Sequence, residues 1–190
     1  MADNKMKNGS IQKATTGADW VAVLLKHPER AVECDWDKLD GEDWATLLAD
    51  RPEFADKCDW DELAGSDWVE LLSYQPQFLG KCDRGKLSGD NWLDLLSYGT
   101  QFIEECEWGK LSGTNWAFLL VREPQFAEKC DWSKLDGQDW QHLLRYEPQF
   151  AEKCDWSKMR KETWEWLEEH CPENAVTWKP AWRKAHGLAE

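Results

Sequence analysis

Apolar and polar positions along the chain recur with a period of 24 residues. In the second copy, Trp44, Leu47 and Leu48 stand at i, i+3 and i+4, which is the spacing of one apolar helix stripe. Asp40 before them is a suitable N-cap, and Asp43 stands where its carboxylate can reach back to a free amide. We call the tryptophans that open these helices the first row. They are Trp20, Trp44, Trp68, Trp92, Trp116, Trp140 and Trp164.

The second half of each copy predicts another short helix and a single turn. Pro52 ends the first helix and can open the next, because proline at the first helical position gives up only an amide that would have no partner. The pattern predicts a second helix over 52–58 and one turn over 60–63. Helices this short are unstable alone, so the copies must stack. The sequence therefore predicts an all-α, elongated superhelical solenoid, right-handed or of unspecified hand, with two short helices and a one-turn segment per repeat.

The repeats divide the chain into three parts within one continuous domain. We expect an N-terminal tail over 1–15, six tandem repeats over 16–159 and a divergent capping repeat over 160–190. The stretch 80–109 breaks the pattern, with Arg84 in place of a tryptophan and Thr100 in place of the proline. It predicts either a bend or ordinary sequence drift.

The repeated motif has a recognisable form. It reads Asp-Trp-x-x-Leu-Leu and then Pro-x-Phe-Ala-x-Lys-Cys-Asp-Trp-x-Lys-Leu, and it covers about residues 16–183. It resembles tryptophan-rich 24-residue tandem repeats of bacterial proteins of unassigned function and, more loosely, short-repeat α-solenoids. The resemblance implies a helical array that carries interaction surfaces, and it implies no particular chemistry.

The charge of the chain restricts its partners. A formal net charge of −14 and a pI near 4.7 argue against attraction to nucleic acid or to anionic membranes. The acidity either favours a basic partner or only keeps a repeat protein soluble. The polar stretch from Met1 to Thr16 has no apolar run typical of a signal peptide, and no segment could span a bilayer, so we expect a cytoplasmic protein.

The seven cysteines do not indicate a metal site or a catalytic nucleophile. No two are closer than the pair Cys154 and Cys171, whereas structural zinc sites use ligand pairs two to four residues apart. Six of them repeat in nearly one local sequence, which is typical of a packing element. We therefore expect buried thiols, no cofactor, no metal and no enzymatic activity.

Candidate binding residues stand at outward positions that vary between repeats. Two places after each first-row tryptophan come Ala22, Thr46, Glu70, Asp94, Phe118, His142 and Trp166. Six places after it come Lys26, Asp50, Tyr74, Tyr98, Arg122, Tyr146 and His170. Aromatic residues and arginine are enriched in binding hot spots, although such side chains also cover the seams between helices. The predicted ridge is Tyr74, Tyr98, Phe118, Arg122, His142 and Tyr146.

Other tryptophans support further hypotheses. The second row comprises Trp36, Trp60, Trp108, Trp132 and Trp156, whose rings could pack in the core or stack on sugars. At the C-terminal end Trp166, Trp178 and Trp182 could cap the array or form a contact with a second copy of the chain.

Three functions remain open from the sequence. The first is a repeat scaffold that binds a protein or peptide through the predicted ridge. The second is a carbohydrate-binding protein that uses second-row tryptophans, in which case oligosaccharide would quench tryptophan fluorescence. The third is an acidic nucleic-acid mimic that inhibits a DNA-binding enzyme, in which case the binding would depend strongly on salt.

Overall fold

A computed structural model describes residues 14–188 of the chain. Residues 1–13 and 189–190, which belong to the predicted tail and capping repeat, lie outside the described part. Within residues 14–188 there is no strand, and each repeat begins with an α-helix of ten residues. The α-helices are α1 (Gly17–Lys26), α2 (Gly41–Asp50), α3 (Gly65–Tyr74), α4 (Gly89–Tyr98), α5 (Gly113–Arg122), α6 (Gly137–Tyr146), α7 (Lys161–His170) and α8 (Pro172–Ala185).

The chain divides into two compact units, Met1–Lys86 and Leu87–Glu190. In the first unit α1 packs on α2 and α2 on α3. In the second unit α4 to α8 pack in order, each on the next. Because the helices within each unit pack on their neighbours in sequence, the predicted all-α solenoid of 24-residue repeats is confirmed.

The second half of each repeat is wound more tightly than predicted. The segments Pro52–Lys57 and Trp60–Glu62 are both 3₁₀-helices, separated by the extended residues Cys58 and Asp59. Their hydrogen bonds run from i+3 to i, as from the Phe54 amide to the Arg51 carbonyl oxygen at 3.2 Å and from the Cys58 amide to the Ala55 carbonyl oxygen at 3.3 Å. At Thr100, which replaces the proline, the first of these segments shortens to Thr100–Phe102.

The last repeat departs from this pattern. In place of the two 3₁₀-helices it has the single α-helix α8. The extended cysteine is missing there, and Ala175, Trp178 and Trp182 stand at helical spacing and are buried.

The N-caps follow the prediction. The Asp40 carboxylate accepts the amide of Asp43 at 3.0 Å, and the Asp43 carboxylate accepts the amide of Asp40 at 3.4 Å. Ser88 and Asn91 form the same reciprocal pair, with 2.9 Å between the Ser88 amide and the Asn91 side-chain oxygen.

First-row tryptophans form the core, as predicted. All seven are buried, and Trp68, Trp92, Trp116 and Trp140 have no exposed surface. A buried tryptophan removes on the order of 200 Å² from water, which at roughly 25 cal/mol per Å² stabilises the fold by about 5 kcal/mol before entropy is counted. Paired leucines such as Leu143 and Leu144 are buried beside them.

Glycine at the first position of the helices α1 to α6 permits a close approach between chain segments. A methyl group at Gly113 would overlap the carbonyl oxygen of Lys134 and the carboxylate of Asp139. Gly41, Gly89 and Gly137 meet the backbone carbonyls of Glu62, Lys110 and Lys158 in the same way. The glycine is thus required by packing, and its backbone angles are ordinary helical ones.

Lysine side chains join neighbouring repeats within each unit. Lys134 Nζ donates to the carbonyl oxygens of Gly109 at 2.6 Å and Leu111 at 2.7 Å. Lys158 makes the equivalent bonds to Ser133 and Leu135. The lysine amines thus provide hydrogen-bond donors for the carbonyl oxygens at the end of each three-residue 3₁₀-helix. Carbonyl groups at a helix end otherwise lack a partner within the helix. The second repeat carries Glu62 at this position.

We expect Gly113→Ala to destabilise the chain by about 1–3 kcal/mol, because the new methyl group overlaps backbone. The matched control is Gly109→Ala, since nothing lies within 4 Å of a methyl group there. The control should change stability by less than about 1 kcal/mol and in the stabilising direction. Urea unfolding followed by tryptophan fluorescence measures both. Equal effects of the two substitutions would contradict the packing argument.

Introducing the lysine where it is missing should stabilise the first unit. We expect Glu62→Lys to raise the free energy of unfolding by about 1 kcal/mol, since the new amine can reach the carbonyls of Asp37 and Leu39. Glu62→Gln removes the same carboxylate without supplying the donor. If the glutamine variant matches the lysine variant in urea unfolding, the gain comes from charge alone and the bridge is absent.

Candidate interaction surface

Exposed rings stand on the outer faces of the helices, away from the tryptophan core. Tyr74, Tyr98, Phe118 and Tyr146 of the predicted ridge have exposed fractions of 68%, 58%, 47% and 50%. Single exposed rings are common on protein surfaces, whereas rings that form a contiguous patch indicate an interaction site. The structure therefore places these predicted residues where a partner can reach them.

Three of the predicted residues form one cluster in the second unit. The ring of Phe118 on α5 lies 4.6 Å from that of His142 on α6, and the His142 ring lies 5.3 Å from that of Tyr146 in an edge-on arrangement. Distances and tilts of this kind are favourable for aromatic pairs. The rings support one another, and those of Phe118 and Tyr146 remain about half exposed.

A cation and another pair of rings extend the cluster to α7. The Arg145 guanidinium carbon lies 5.2 Å from the ring centres of both Tyr146 and Trp166. The Trp166 ring stacks on His170 at 4.0 Å with 8° between their planes, and His170 Nδ1 lies 2.9 Å from the Trp166 carbonyl oxygen. We define the ring surface as Phe118, His142, Arg145, Tyr146, Trp166 and His170.

The period of the repeat explains why these residues meet. Phe118, His142 and Trp166 each stand two places after a buried tryptophan, on helices α5, α6 and α7, which pack in order. Residues at one helical position therefore line up across successive repeats. Tyr146 and His170 line up in the same way six places after the tryptophan.

A shallow groove lies beside the rings. Its volume is about 230 Å³, and its lining consists of Gln138, Gln141, His142, Arg145 and Trp166. None of these five side chains is acidic. The groove thus offers hydrogen-bond donors and one permanent positive charge on the surface of an acidic chain.

Other predicted residues lie outside the cluster. Tyr74 belongs to the first unit, and Tyr98 and Arg122 are exposed on α4 and α5 without taking part in the ring contacts described. The prediction missed Arg145, which stands five places after Trp140. The same comparison between repeats would have found it if it had included the position five places after each first-row tryptophan.

Two of the three tryptophans predicted for a self-contact are core residues. The Trp182 ring stacks on Trp164 at 5.1 Å, and its indole nitrogen donates to the Met159 carbonyl oxygen at 3.2 Å. Trp178 is 7% exposed and lies 6.0 Å from Trp156. Both rings therefore cap the array, which is the other role that the sequence allowed, because they are buried on the inner face of α8. Only Trp166 of the three lies on the surface.

Second-row tryptophans are partly covered. The Trp108 ring stacks on Trp116 at 5.6 Å with 15° between the planes, and Phe126 lies against it at 5.4 Å. Trp36, Trp60 and Trp132 each have the equivalent tryptophan and phenylalanine of the following repeat as neighbours. One face of each ring is thus occupied, which leaves less ring surface for a sugar than the sequence suggested.

The six repeat cysteines stand between the two 3₁₀-helices of their repeats. Burial, together with the carboxylate next in sequence, raises the pKa of Cys58, Cys106 and Cys130 to about 12. Burial also raises the pKa of Cys34, to about 11. A thiol that stays protonated is a poor nucleophile, so these groups act as packing elements.

The other classes of site give no candidate in the described part of the chain. Among residues 14–188 no group of three histidine, cysteine or carboxylate side chains is placed to hold a metal ion. None of the helices described is both long enough and apolar enough to cross a bilayer.

The described residues define an all-α repeat protein with an aromatic and cationic surface on three successive helices. Compared with models of known protein families, with curated proteins and with solved structures, the chain matches none of them. The resemblance to bacterial tryptophan-rich repeats therefore rests on the motif alone.

We expect the raised pKa values to slow alkylation of the thiols. At pH 8 a thiol of pKa about 12 is ionised in roughly one molecule in ten thousand, against about a quarter for an ordinary cysteine. Iodoacetamide should therefore modify Cys58, Cys106 and Cys130 at least about 100-fold more slowly in the folded chain than in guanidinium, as read by peptide mass spectrometry. Equal rates in both states would contradict this environment.

Proposed function

We propose that the chain is a non-enzymatic repeat scaffold that binds a partner protein or peptide through the ring surface on α5, α6 and α7. The observation that carries the proposal is the cluster of exposed rings around Arg145. Aromatic residues and arginine contribute most of the energy in typical protein interfaces, and here they occur together on one face.

The energetics of the surface also favour a binding role. Phe118 and Tyr146 keep about half of their surface in water, so the fold gains little from them. A partner that covers both rings would remove this apolar area from water. Tyrosine and phenylalanine lose few rotatable bonds on binding, which makes them efficient contact residues.

Two further observations support the absence of enzymatic chemistry and a reducing compartment such as the cytoplasm. The raised pKa values deprive the repeated thiols of nucleophilic character. In addition, Cys34, Cys58, Cys106, Cys130, Cys154 and Cys171 carry free thiols.

The alternative functions have less support. Sugar binding needs open ring faces, and the second-row rings have one face against a first-row ring. No specific observation favours the nucleic-acid mimic over the general acidity of the chain.

Substituting the rings should remove binding without unfolding the chain. We expect the double variant Phe118→Ser with Tyr146→Ser to lose at least one partner by tenfold or more, on the order of the effect of one strong hot-spot residue. The measurement is affinity capture from a lysate of the source cells by the immobilised full chain under reducing conditions, with quantitative mass spectrometry.

The matched control is Tyr74→Ser, which removes an exposed tyrosine from the other unit. It should leave the same partner bound. Exposed substitutions usually change stability by less than about 0.5 kcal/mol, which urea unfolding verifies. A partner retained by the double variant, or lost equally with the control, would show that the ring surface is not the binding site.

A further inference from the structure

We infer that the groove beside the ring surface takes a carboxylate, so that the partner segment it binds is acidic, with an aromatic or aliphatic residue next to the acidic one. This inference rests on the proposed function and specifies the partner. It also differs from the expectation drawn from net charge, which favoured a basic partner.

The first step concerns the faces of the rings. Exposed tryptophan and tyrosine faces attract cations, and a basic partner would be expected to place a lysine or arginine over them. Arg145 already lies at 5.2 Å from both the Tyr146 and the Trp166 ring centres. A second cation at the same place would meet the positive charge of Arg145, so the rings here do not favour a basic segment.

The second step concerns the donors of Arg145. A guanidinium group has five N–H donors in a plane, and two of them match the two oxygens of a carboxylate. Within residues 14–188 no hydrogen bond or ion pair uses these donors, and the side chain is exposed. Stacking against rings uses the flat face of the guanidinium and leaves its edge available.

The third step concerns the neighbours. Gln138, Gln141 and His142 line the groove with Arg145, and all three can donate hydrogen bonds. The groove between α1 and α2 in the first unit is different, because Asp40, Glu42 and Asp43 are among its lining residues. Glu42 lies on the second helix of that groove, and the residue at the same repeat position on α7 is Glu162, which is not part of the lining beside the rings. The four α6 residues of the lining correspond to Ala18, Val21, Ala22 and Leu25 on α1. The second unit thus has hydrogen-bond donors and a cation on the helix face where the first has apolar side chains.

The fourth step concerns the net charge of −14, which opposes the approach of an acidic segment. At physiological ionic strength the screening length is about 8 Å, so charges beyond that distance contribute little. Contacts inside the groove therefore decide which residue binds. Phe118 and Tyr146 stand beside the groove with half of their surface exposed, and they favour an apolar residue next to the carboxylate.

The experiment is a selection of random 12-residue peptides displayed on phage against the immobilised full chain at 0.15 M salt. Enriched peptides are synthesised with a fluorescent label, and their affinity is measured by anisotropy. We expect aspartate or glutamate beside an aromatic or aliphatic residue. Arg145→Gln should weaken binding by about tenfold, the effect of losing one charge-assisted hydrogen-bonded pair.

The control for charge is Lys129→Gln, which removes one positive charge from an exposed position of the same unit. It should change the affinity by less than about twofold, since the lysine lies outside the groove. Arg145→Lys keeps the charge and loses the planar fork, and it should recover only part of the affinity.

The outcomes separate the inference from the proposed function. Acidic peptides that need Arg145 and also need Phe118 and Tyr146 would support both. Peptides that need Phe118 and Tyr146 but are rich in lysine, or that bind Arg145→Gln unchanged, would overturn the carboxylate inference alone. If no enriched peptide is lost by the Phe118→Ser, Tyr146→Ser variant, the ring surface is not a peptide-binding site and both fail.

Discussion

The fold depends on the stacking of two tryptophan rings from neighbouring repeats. Trp132, at the end of one repeat, lies 5.5 Å from Trp140, which is buried in the helix that follows. A helix of ten residues is unstable alone, and the segments between the helices are shorter still, so each repeat gains its stability from its neighbours. The close approach of Gly113 to Asp139 and the bonds of Lys158 to Ser133 and Leu135 act between the same two repeats as this ring stack.

This arrangement separates positions that hold the repeat together from positions that are free to change. The tryptophan and the paired leucines face inward, and with the glycine that precedes them they recur with little variation. The outward positions do not contribute to packing, so their side chains can differ from repeat to repeat at small cost in stability. The acidic lining of the groove between α1 and α2, and the rings on α5 to α7, are two results of this freedom on one backbone pattern.

The candidate site shows how net charge and local charge can lead to different conclusions. Counting charges over the whole chain favours a basic partner, and it treats all carboxylates as equal. The groove contains Arg145 and neutral amides, while many of the carboxylates serve as helix caps, such as Asp136 and Asp139. Phe118, His142 and Tyr146 could be selected from the sequence because they vary at outward positions. The contact of Arg145 with the Tyr146 and Trp166 rings could not be, because it depends on which side-chain rotamers two packed helices allow.

The sequence by itself determined the repeat, its helix starts and its core, because a constant period of cap, tryptophan and proline leaves one apolar stripe to bury in each copy. The tertiary structure decided the rest. It showed that the second segment is a 3₁₀-helix, which ends before an extended cysteine. It also placed Trp178 and Trp182 in the core, since α8 turns their side chains towards Trp156 and Trp164. Such contacts join residues far apart in the chain, and they are fixed by the distance and angle between packed helices, which residue spacing does not specify.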